Sequence, residues 1–422
     1  MLKILVLFDT LNVVGGRPIA GASAREYQLN RELTEQGHDV RFMLGDVGCS
    51  GGWAGWPWRS YLMHYDTVYE QPQRMVEVLD GWSPDMVVAT DGYAILMYGR
   101  WLADRVGARL VYEMHDDEPQ LLRSLGGTDG DVDWSAVVQR AAVQASDLVV
   151  TLSPVEAELV RVGGFPPERL HWSPMGVDLA EQKESGPCLD EPVLAFVGNL
   201  YYEPNARAAT ALVERILPAL RERGTADPRA LIIGRIPDEL RRELSRPGVT
   251  VTGLVPSVAE ALVPATMGVA PIDAGSGMKS KILDYLAAGL PVVCSTHAAA
   301  GYPVDDLPLH IADDPARFAD HVVRLWRDPA AMVEMGHRGR EVAEHRYGWD
   351  SIARVVGDVY RRIRDLPPAG GVVPGDLAPR LRHRPYWQVE LEAKDAWAFP
   401  RVVTAETYGL CVDGQVSVRG YA

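Results

Sequence analysis

Short apolar runs alternate with amphipathic stretches along most of the chain, and this alternation constrains the fold more than any other feature. In the first half the predicted strands are Lys3–Phe8, Asp39–Leu44, Met86–Ala89, Arg109–Glu113 and Leu148–Leu152. The predicted helices between them include Ala24–Gln36, Ala94–Val106 and Trp134–Ala145. Strand–helix order with continuous β-branched runs predicts a parallel sheet covered on both faces.

A second alternating series follows residues 174–192, a stretch rich in proline, glycine and acids that is typical of an interdomain linker. Its predicted strands are Val193–Val197, Ala230–Ile233, Val249–Thr252, Met267–Ala270 and Pro291–Cys294. Its predicted helices are Ala206–Glu222, Pro237–Leu244 and Lys279–Ala288, with a long final helix near Trp349–Ile363. The fold class is therefore α/β, with two doubly wound, Rossmann-like domains that face a cleft at the carboxyl ends of their strands.

The domain boundaries follow from these patterns. We expect an N-terminal domain over 1–185, a C-terminal domain over 190–348, a crossover helix over 349–366 and an extension over 367–422. The extension is β-rich, with an Asp413–Gly414 hairpin signal between two short strands. Its aromatic residues predict that it docks on the rest of the protein.

The charge and the cysteines exclude several classes of function. Lys and Arg number 42 against 57 Asp and Glu, a net charge of -15, which argues against nucleic acid as a partner. The four cysteines are widely spaced without a CxxC pair, so we expect no zinc site and no disulfide framework. The N-terminus lacks a signal-peptide pattern and no window reaches the ~20 apolar residues of a membrane span. These features predict a cytoplasmic protein.

The window APIDAGSGMKSKILDYLAAGLPVV, residues 270–293, carries the most chemistry. A strand ends near Ala270, a glycine-rich turn follows, and a helix is predicted to start near Met278. Free backbone N–H groups at a helix start, together with Lys279 and Lys281, suit a pyrophosphate. Asp284 can accept hydrogen bonds from a ribose diol. An ordinary glycine loop with a solvated lysine face is the alternative.

This window resembles the donor-site segment of the retaining family-4 glycosyltransferases of the GT-B fold, in the branch that reads G-x-[RK]-x-K-x-L-[ED]-[AY]-[ML]-A-x-G-x-P-V-V. The segment FVGNLYYEPNARAATALVERILPAL, residues 196–220, is similar to the start of the C-terminal domain in the same branch. The resemblance implies transfer of a hexosyl group from a nucleoside-diphosphate sugar, without a metal or a further cofactor. It implies these donor-binding residues: Gly16, Gly198, Asn199, Arg235, Ser276, Gly277, Met278, Lys279, Lys281 and Asp284.

The chain departs from the family pattern in two places. Ser276 stands where the family usually has a glutamate, and Asn199 and Asn205 stand near its usual arginine and lysine. We therefore expect the cationic phosphate clamp to have moved to Lys279 and Lys281, together with Arg235.

The segment VYEMHDDEPQLL places His115, Asp116, Asp117 and Glu118 after a predicted strand. The resemblance implies that His115 contacts the donor sugar and Asp116 orients it as the catalytic pair. It also implies same-face attack without a protein nucleophile. Gly21, Asp117 and Glu118 are the predicted acceptor-binding residues. Three successive carboxylates repel unless a cation screens them, and a cationic aminocyclitol or amino sugar of secondary metabolism, as acceptor, would supply that cation. A neutral sugar or glycan is the alternative.

Other interpretations stay open at the level of sequence. The protein could be a pseudo-glycosyltransferase that couples a cyclitol, or a degenerate GT-B subunit that binds a partner. A homodimer is also compatible with the sequence. Asp131-Val132-Asp133 matches the D-x-D of metal-using enzymes, but its predicted place in a polar loop indicates a solvated run. Trp53, Trp56 and Trp58 could stack on an acceptor or pack beneath their loop.

Overall fold

Two sheets flanked by helices make up the protein. The computed structural model describes residues 1–14, 17–18, 21–50, 56–63, 68, 71–383, 407–412 and 415–420. The first sheet contains β1 (Lys3–Val14), β2 (Arg17–Pro18), β3 (Asp39–Ser50), β4 (Ser60–Met63), β5 (Met86–Ala89), β6 (Arg109–Met114), β7 (Leu148–Thr151) and β8 (Leu170–Trp172). The second contains β9 (Val193–Val197), β10 (Arg229–Ile233), β11 (Val249–Gly253), β12 (Met267–Ala270), β13 (Val292–Cys294) and β14 (Leu309–Ile311).

Helices cover both sheets. In chain order they are α1 (Gly21–Glu35), α2 (Gln73–Val78), α3 (Gly92–Ala94), α4 (Arg100–Val106), α5 (Glu118–Ser124), α6 (Asp129–Ala145), α7 (Pro154–Val162), α8 (Glu203–Ala211), α9 (Leu217–Glu222), α10 (Asp238–Leu244), α11 (Val258–Leu262), α12 (Lys281–Ala287), α13 (Thr296–Ala299), α14 (Pro315–Trp326), α15 (Pro329–Arg346), α16 (Trp349–Asp365) and α17 (Leu377–His383). Single π turns join α3 to α4 and α8 to α9. None of the described helices has the length and apolarity needed to cross a membrane.

The second sheet has the strand order β11-β10-β9-β12-β13-β14, and all its pairs are parallel. The order reverses between β9 and β12. Ligands bind beyond the carboxyl ends of the strands at such a switch point. The residues after these two strands, Gly198 and the segment from Ala274 to Lys279, are therefore placed where a ligand is expected.

The first sheet also contains β15 (Thr407–Val412) and β16 (Gln415–Gly420), and its order is β16-β15-β4-β3-β1-β5-β6-β7-β8, with β2 on β1. Strands β1 and β3 are longer than predicted: they stay paired from Lys3 with Asp39 to Val14 with Ser50. Residues 9–14, beyond the predicted end at Phe8, thus continue the strand, because a parallel neighbour satisfies their backbone groups. Gly15 and Gly16, which follow this strand, lie outside the described residues.

Two crossings of the chain between the sheets run side by side. Val177 N donates to Tyr347 O at 2.7 Å, and Val177 bridges to Gly348. A Cβ at Gly176 would lie 2.5 Å from the Trp349 ring, so the crossings touch only because residue 176 is glycine. The final helix, predicted as Trp349–Ile363, is α16, and it returns to pack against α1 of the first sheet.

The extension adds two strands to the first sheet: β15 (Thr407–Val412) and β16 (Gln415–Gly420). They form an antiparallel hairpin, and β15 pairs with β4 through Tyr408 with Met63 and Cys411 with Ser60. The backbone thus docks as predicted. The turn residues Asp413 and Gly414 lie outside the described part of the chain.

Two further sequence patterns are resolved by the structure. Trp56 and Trp58 are buried against Phe42 with ring centroids 5.2 and 5.0 Å from its ring, which agrees with packing; Trp53 lies outside the described residues. Asp131 and Asp133 belong to the exposed start of α6, and not to a loop as predicted, since Thr128 Oγ1 accepts from Asp131 N at 3.2 Å and caps the helix.

Candidate active site

The loops after β6 and β12 meet across the cleft between the two sheets. Asp117 N donates to Ser276 Oγ at 3.1 Å, and Gly275 N donates to Ser124 Oγ at 3.0 Å. At Gly277, φ is +69° and a Cβ would lie 2.5 Å from Asp116 Oδ1. The contact therefore requires glycine at 277, both for its backbone conformation and for the space.

Ser276 links the two domains at the position where the family usually has a glutamate. Burial raises the pKa of the neighbouring Asp116, while the positive charges of His115 and Lys279 and the polar side chain of Ser276 act in the opposite direction. Ser276 thus provides a small, uncharged polar group at this contact. A glutamate at the same position would place a second carboxylate beside Asp116.

Lys281 is buried beneath this loop, with 7% of its surface exposed. Its Nζ donates to Asn205 Oδ1 at 2.7 Å and lies 4.2 Å from the centroid of the Phe196 ring. A Cβ at Gly198 would come within 3.2 Å of Nζ, so Gly198 leaves room for the ammonium. Burial and the neighbouring charge of Lys279 lower the pKa of Lys281 to about 7.

Asn205 fixes the position of that ammonium. Its Nδ2 donates to Asn199 O at 2.9 Å, which turns its Oδ1 toward Lys281. Asn199 Oδ1 in turn accepts from Tyr201 N at 3.2 Å. Both asparagines stand where the family has basic residues, and the ammonium of Lys281 lies against one of them. This geometry favours the relocated clamp, whose role toward phosphate stays a prediction.

The predicted helix start near Met278 is wrong, because α12 begins at Lys281. Gly275 and Gly277, with φ of +96° and +69°, carry the chain through an irregular turn that delays the helix. The N–H groups of Ile282 and Leu283 already donate to Lys279 O at 3.0 Å and Ser280 O at 2.8 Å. Fewer free N–H groups are therefore available to a pyrophosphate than the sequence suggested.

Lys279 holds its own loop together. Its Nζ donates to the carbonyl oxygens of Ser276 and of Gly277, the latter at 3.2 Å. Burial lowers the pKa of Lys279, and the carboxylates of Asp116 and Glu156 counteract that shift. Its charge therefore lies between the glycine-rich turn and the acidic loop of the first domain.

The remaining predicted donor residues surround this centre. Asp284 accepts from Gln182 Nε2 of the interdomain linker at 3.2 Å, and burial raises the pKa of Asp284 to about 6. Met278 Sδ accepts from Met175 N at 3.3 Å. The Arg235 guanidinium lies 5.3 Å from the centroid of the Tyr201 ring. Gly16 lies outside the described residues.

Two of the predicted acceptor residues contact the same side chain, that of Gln139. Asp117 Oδ1 accepts from Gln139 Nε2 at 3.3 Å, and Glu118 N donates to Gln139 Oε1 at 2.9 Å. Gly21 begins α1. Since Asp116 lies against Gly277 while Asp117 faces Gln139, the carboxylates of these two residues diverge.

His115 lies over a buried cluster of charges that the sequence did not reveal. Its Nε2 is 3.4 Å from Glu26 Oε1 and 3.6 Å from Glu113 Oε2. Arg25 Nε donates to Glu113 Oε2 at 3.1 Å. Burial would lower the pKa of His115, but the neighbouring carboxylates of Glu113 and Glu26 raise it to about 9. The ligand atoms of His115 and the two glutamates lie within 4.8 Å of one another, close enough for a metal ion.

One sequence signal could have identified part of this cluster, and a second could have identified a further carboxylate of the site, Glu156. Glu113 lies in an otherwise apolar strand, and a buried acid there implies a charged partner. Glu156 belongs to an S-x-x-E pattern, and it accepts from the Ser153 hydroxyl at the start of α7. Burial raises the pKa of Glu156 to about 7, and the nearby charges of Asp116 and Asp117 contribute. No sequence signal pairs Arg25 or Glu26 with a residue 88 or more positions away.

Comparisons with known proteins agree with this arrangement. Residues 20–176 match the family model described as "Glycosyl transferase 4-like domain", and residues 191–328 match the model described as "Glycosyl transferases group 1". The two matches cover the first and the second sheet in turn. The chain therefore belongs to the family-4 glycosyltransferases of the GT-B fold, as predicted from the sequence.

One curated relative and two solved structures are similar to this chain. Over 350 residues the chain is 27% identical to alpha-maltose-1-phosphate synthase of Mycolicibacterium smegmatis, covering 72% of this chain and 88% of that protein. Sucrose-phosphate synthase of Thermosynechococcus elongatus aligns over 86% of this chain and 99% of its own, with a TM-score of 0.63 and 17% identity. HepE of Anabaena, in complex with UDP and glucose, aligns over 86% of this chain and 100% of its own, with a TM-score of 0.64 and 14% identity.

Proposed function

We propose that the protein is a retaining, metal-independent hexosyltransferase that uses a nucleoside-diphosphate hexose. The observation that carries the proposal is the meeting of two loops at the switch point of the second sheet. Lys279 and Lys281 lie on one side and His115 with Asp116 on the other. The lysines supply positive charge for a leaving diphosphate, and the first domain supplies polar groups for the sugar.

The reaction that fits these groups is same-face displacement. The bond between the anomeric carbon and the diphosphate oxygen breaks, and a bond from the acceptor hydroxyl oxygen forms on the same face. The acceptor proton passes to the departing phosphate oxygen, so that no protein nucleophile takes part. In this scheme His115 contacts the donor sugar, Asp116 orients it, and the two lysines stabilise the developing charge of the nucleoside diphosphate.

The donor can be identified by binding followed by turnover. HepE was solved with UDP and glucose, so UDP-hexoses come first, followed by ADP, GDP and dTDP sugars. A ligand at 100 times its Kd raises the free energy of unfolding by about 2.7 kcal/mol, which a thermal shift detects. With the donor found, NMR of the product in the presence of EDTA tests both finer claims. An inverted anomer would contradict retention, and loss of activity with EDTA would contradict metal independence.

His115→Ala tests the placement of the catalytic pair. Since His115 lies on the opposite domain from the lysines, the variant should bind nucleoside diphosphate almost normally and lose mainly kcat. A tenfold loss of diphosphate affinity with unchanged kcat would contradict this placement.

Ser276 at the position of a family glutamate supports one other candidate, a degenerate GT-B subunit. That candidate predicts donor binding without turnover of any donor. Transfer or donor hydrolysis by the wild-type protein, lost in His115→Ala, would exclude it.

We further propose that the acceptor binds beside Asp117 and Glu118 and carries a positive charge, as an aminocyclitol or amino sugar does. Partly exposed ion pairs weaken as ionic strength rises. The acceptor KM should therefore rise with salt, and this dependence should shrink in the Asp117→Asn, Glu118→Gln double variant. A KM insensitive to both changes would indicate a neutral acceptor.

A further inference from the structure

Four ionisable side chains meet beneath the cleft. Glu26 and Arg25 come from α1, Glu113 from β6, and His115 from the loop after that strand. The Arg25, Glu26 and Glu113 side chains are at most 1% exposed. Glu26 Oε1 and His115 Nε2 are both buried and lie 3.4 Å apart, without a well-aligned hydrogen bond to any partner.

The charges of this cluster balance when one proton is bound by the pair formed by Glu26 and His115. Arg25 offsets Glu113, which it contacts at 3.1 Å. Glu26 is then left with an uncompensated charge in a buried position, which is costly. An imidazolium supplies the missing positive charge directly opposite Glu26 Oε1.

The other polar groups around the cluster reinforce this balance. Asn30 Nδ2 donates to Glu26 Oε2 at 3.1 Å, and the Tyr360 hydroxyl of α16 donates to Glu113 Oε1 at 3.2 Å. Arg25 is also bound by Pro174 O at 2.8 Å and Ser173 Oγ at 3.1 Å, so it cannot turn toward Glu26 without losing them. On the cleft side, His115 also interacts with the charge of Asp116.

We propose that Glu26 is a positioning residue that keeps His115 as an imidazolium, so that the ring serves transfer as a hydrogen-bond donor and not as a base. A neutral imidazole has one donor and one acceptor nitrogen, whereas both nitrogens of the imidazolium donate. Nε2 lies 3.4 and 3.6 Å from the two carboxylates, and the second N–H is left for a substrate oxygen. The protonated state of His115 is independent of the proposed function, whereas the role of its ring in transfer rests on that function.

Burial raises the pKa of Glu26, and the neighbouring charge of Glu113 adds to that effect. The carboxylate of Glu26 therefore competes with the ring for one proton. Imidazole is the more basic of the two groups in water, which places the proton on His115. A divalent ion at the same three ligands would place two positive charges beside the Arg25 guanidinium. The cluster thus favours a proton over a metal ion.

The test is NMR of the full-length protein labelled with 15N- and 13C-histidine, with the His115 ring signal assigned by its loss in His115→Gln. We expect a doubly protonated ring at pH 7 to 8 that titrates near pH 9. Glu26→Gln should lower that titration by about one unit or more. Glu26→Asp should restore part of it, and Glu35→Gln, an exposed change on the same helix, should have no effect.

Several results would overturn the proposal: a ring that is neutral at pH 7 in the wild type, a titration unchanged in both Glu26 variants, or stoichiometric binding of added Zn²⁺ that shifts the His115 signal. Circular dichroism melting checks that each variant is folded. In the transfer assay, kcat should fall as pH rises through the His115 titration, and the fall should move to lower pH in Glu26→Gln. Because the NMR titration needs no substrate, it stands even if transfer activity is absent.

Discussion

Lys281 holds an ammonium group at the carboxyl end of β9, where burial makes its charge costly in the absence of a ligand. Its Nζ contacts Asn205 Oδ1 at 2.7 Å. We predict that Lys281→Met lowers kcat/KM, because it removes a charge-assisted contact to the leaving diphosphate. The loss of transition-state stabilisation should be about 2–4 kcal/mol. The melting temperature should stay equal or rise, since a buried charge is removed. Steady-state kinetics and thermal melting measure the two effects.

The matched control is Lys183→Met, because Lys183 is exposed in the interdomain linker. Near-normal kcat/KM in Lys281→Met would remove this residue from the donor site. Equal losses in both variants would indicate a general effect of lysine removal.

The titration of the same lysine gives a second prediction. The pKa of Lys281 is lowered to about 7 in the folded protein from a reference value of 10.5. The unfolded chain therefore binds the additional proton between these values, and this group makes the free energy of unfolding rise with pH over that window. A bound diphosphate should restore the charge, so that binding at pH 8 takes up a proton.

Isothermal titration calorimetry of UDP at pH 8, in two buffers of different ionisation enthalpy, detects that uptake. The binding enthalpy should differ between buffers in the wild type and converge in Lys281→Met. Identical enthalpies for the wild type would mean that Lys281 does not take up a proton when the diphosphate binds.

At the scale of elements, the junction of the two crossings depends on one glycine. A Cβ at residue 176 would lie 2.5 Å from the Trp349 ring at the start of α16. Gly176→Ala should therefore separate the crossings and lower the free energy of unfolding by about 1–3 kcal/mol. Gly375→Ala is the control, because a Cβ there meets nothing within 4 Å. Chemical denaturation of the two variants measures the difference, and equal stability would contradict this packing.

Local sequence patterns predicted the bounds of some elements and misplaced those of others. The strands β9 and β12 were predicted with their exact bounds, since continuous apolar runs report burial on both faces of a sheet. The start of α12 was placed three residues early. Lys279 and Met278 are compatible with a helix locally, but positive φ at Gly275 and Gly277 lets the turn reach across to Asp116.

For the whole molecule, the extension completes the first sheet. β15 covers the edge of β4, whose residues Ser60–Met63 are buried. A chain that ends at His383 should expose that edge, melt at lower temperature and aggregate more readily, because unpaired strands recruit other chains. A chain that ends at Gly420 is the control. Unchanged melting and an unchanged size-exclusion profile in the shorter chain would show that the hairpin contributes nothing to stability.

The sequence by itself determined the α/β class, the two doubly wound domains, the family and the loops that carry Lys279, Lys281 and His115. These features are encoded in local periodicity and in short motifs, which neighbouring residues specify together. Only the tertiary structure decided which residues meet. It placed Ser276 against Asp117 across the cleft and Glu26 beneath His115, and it parted the carboxylates of Asp116 and Asp117. Such contacts join residues far apart in the chain and depend on the path of the backbone, which a local pattern does not record.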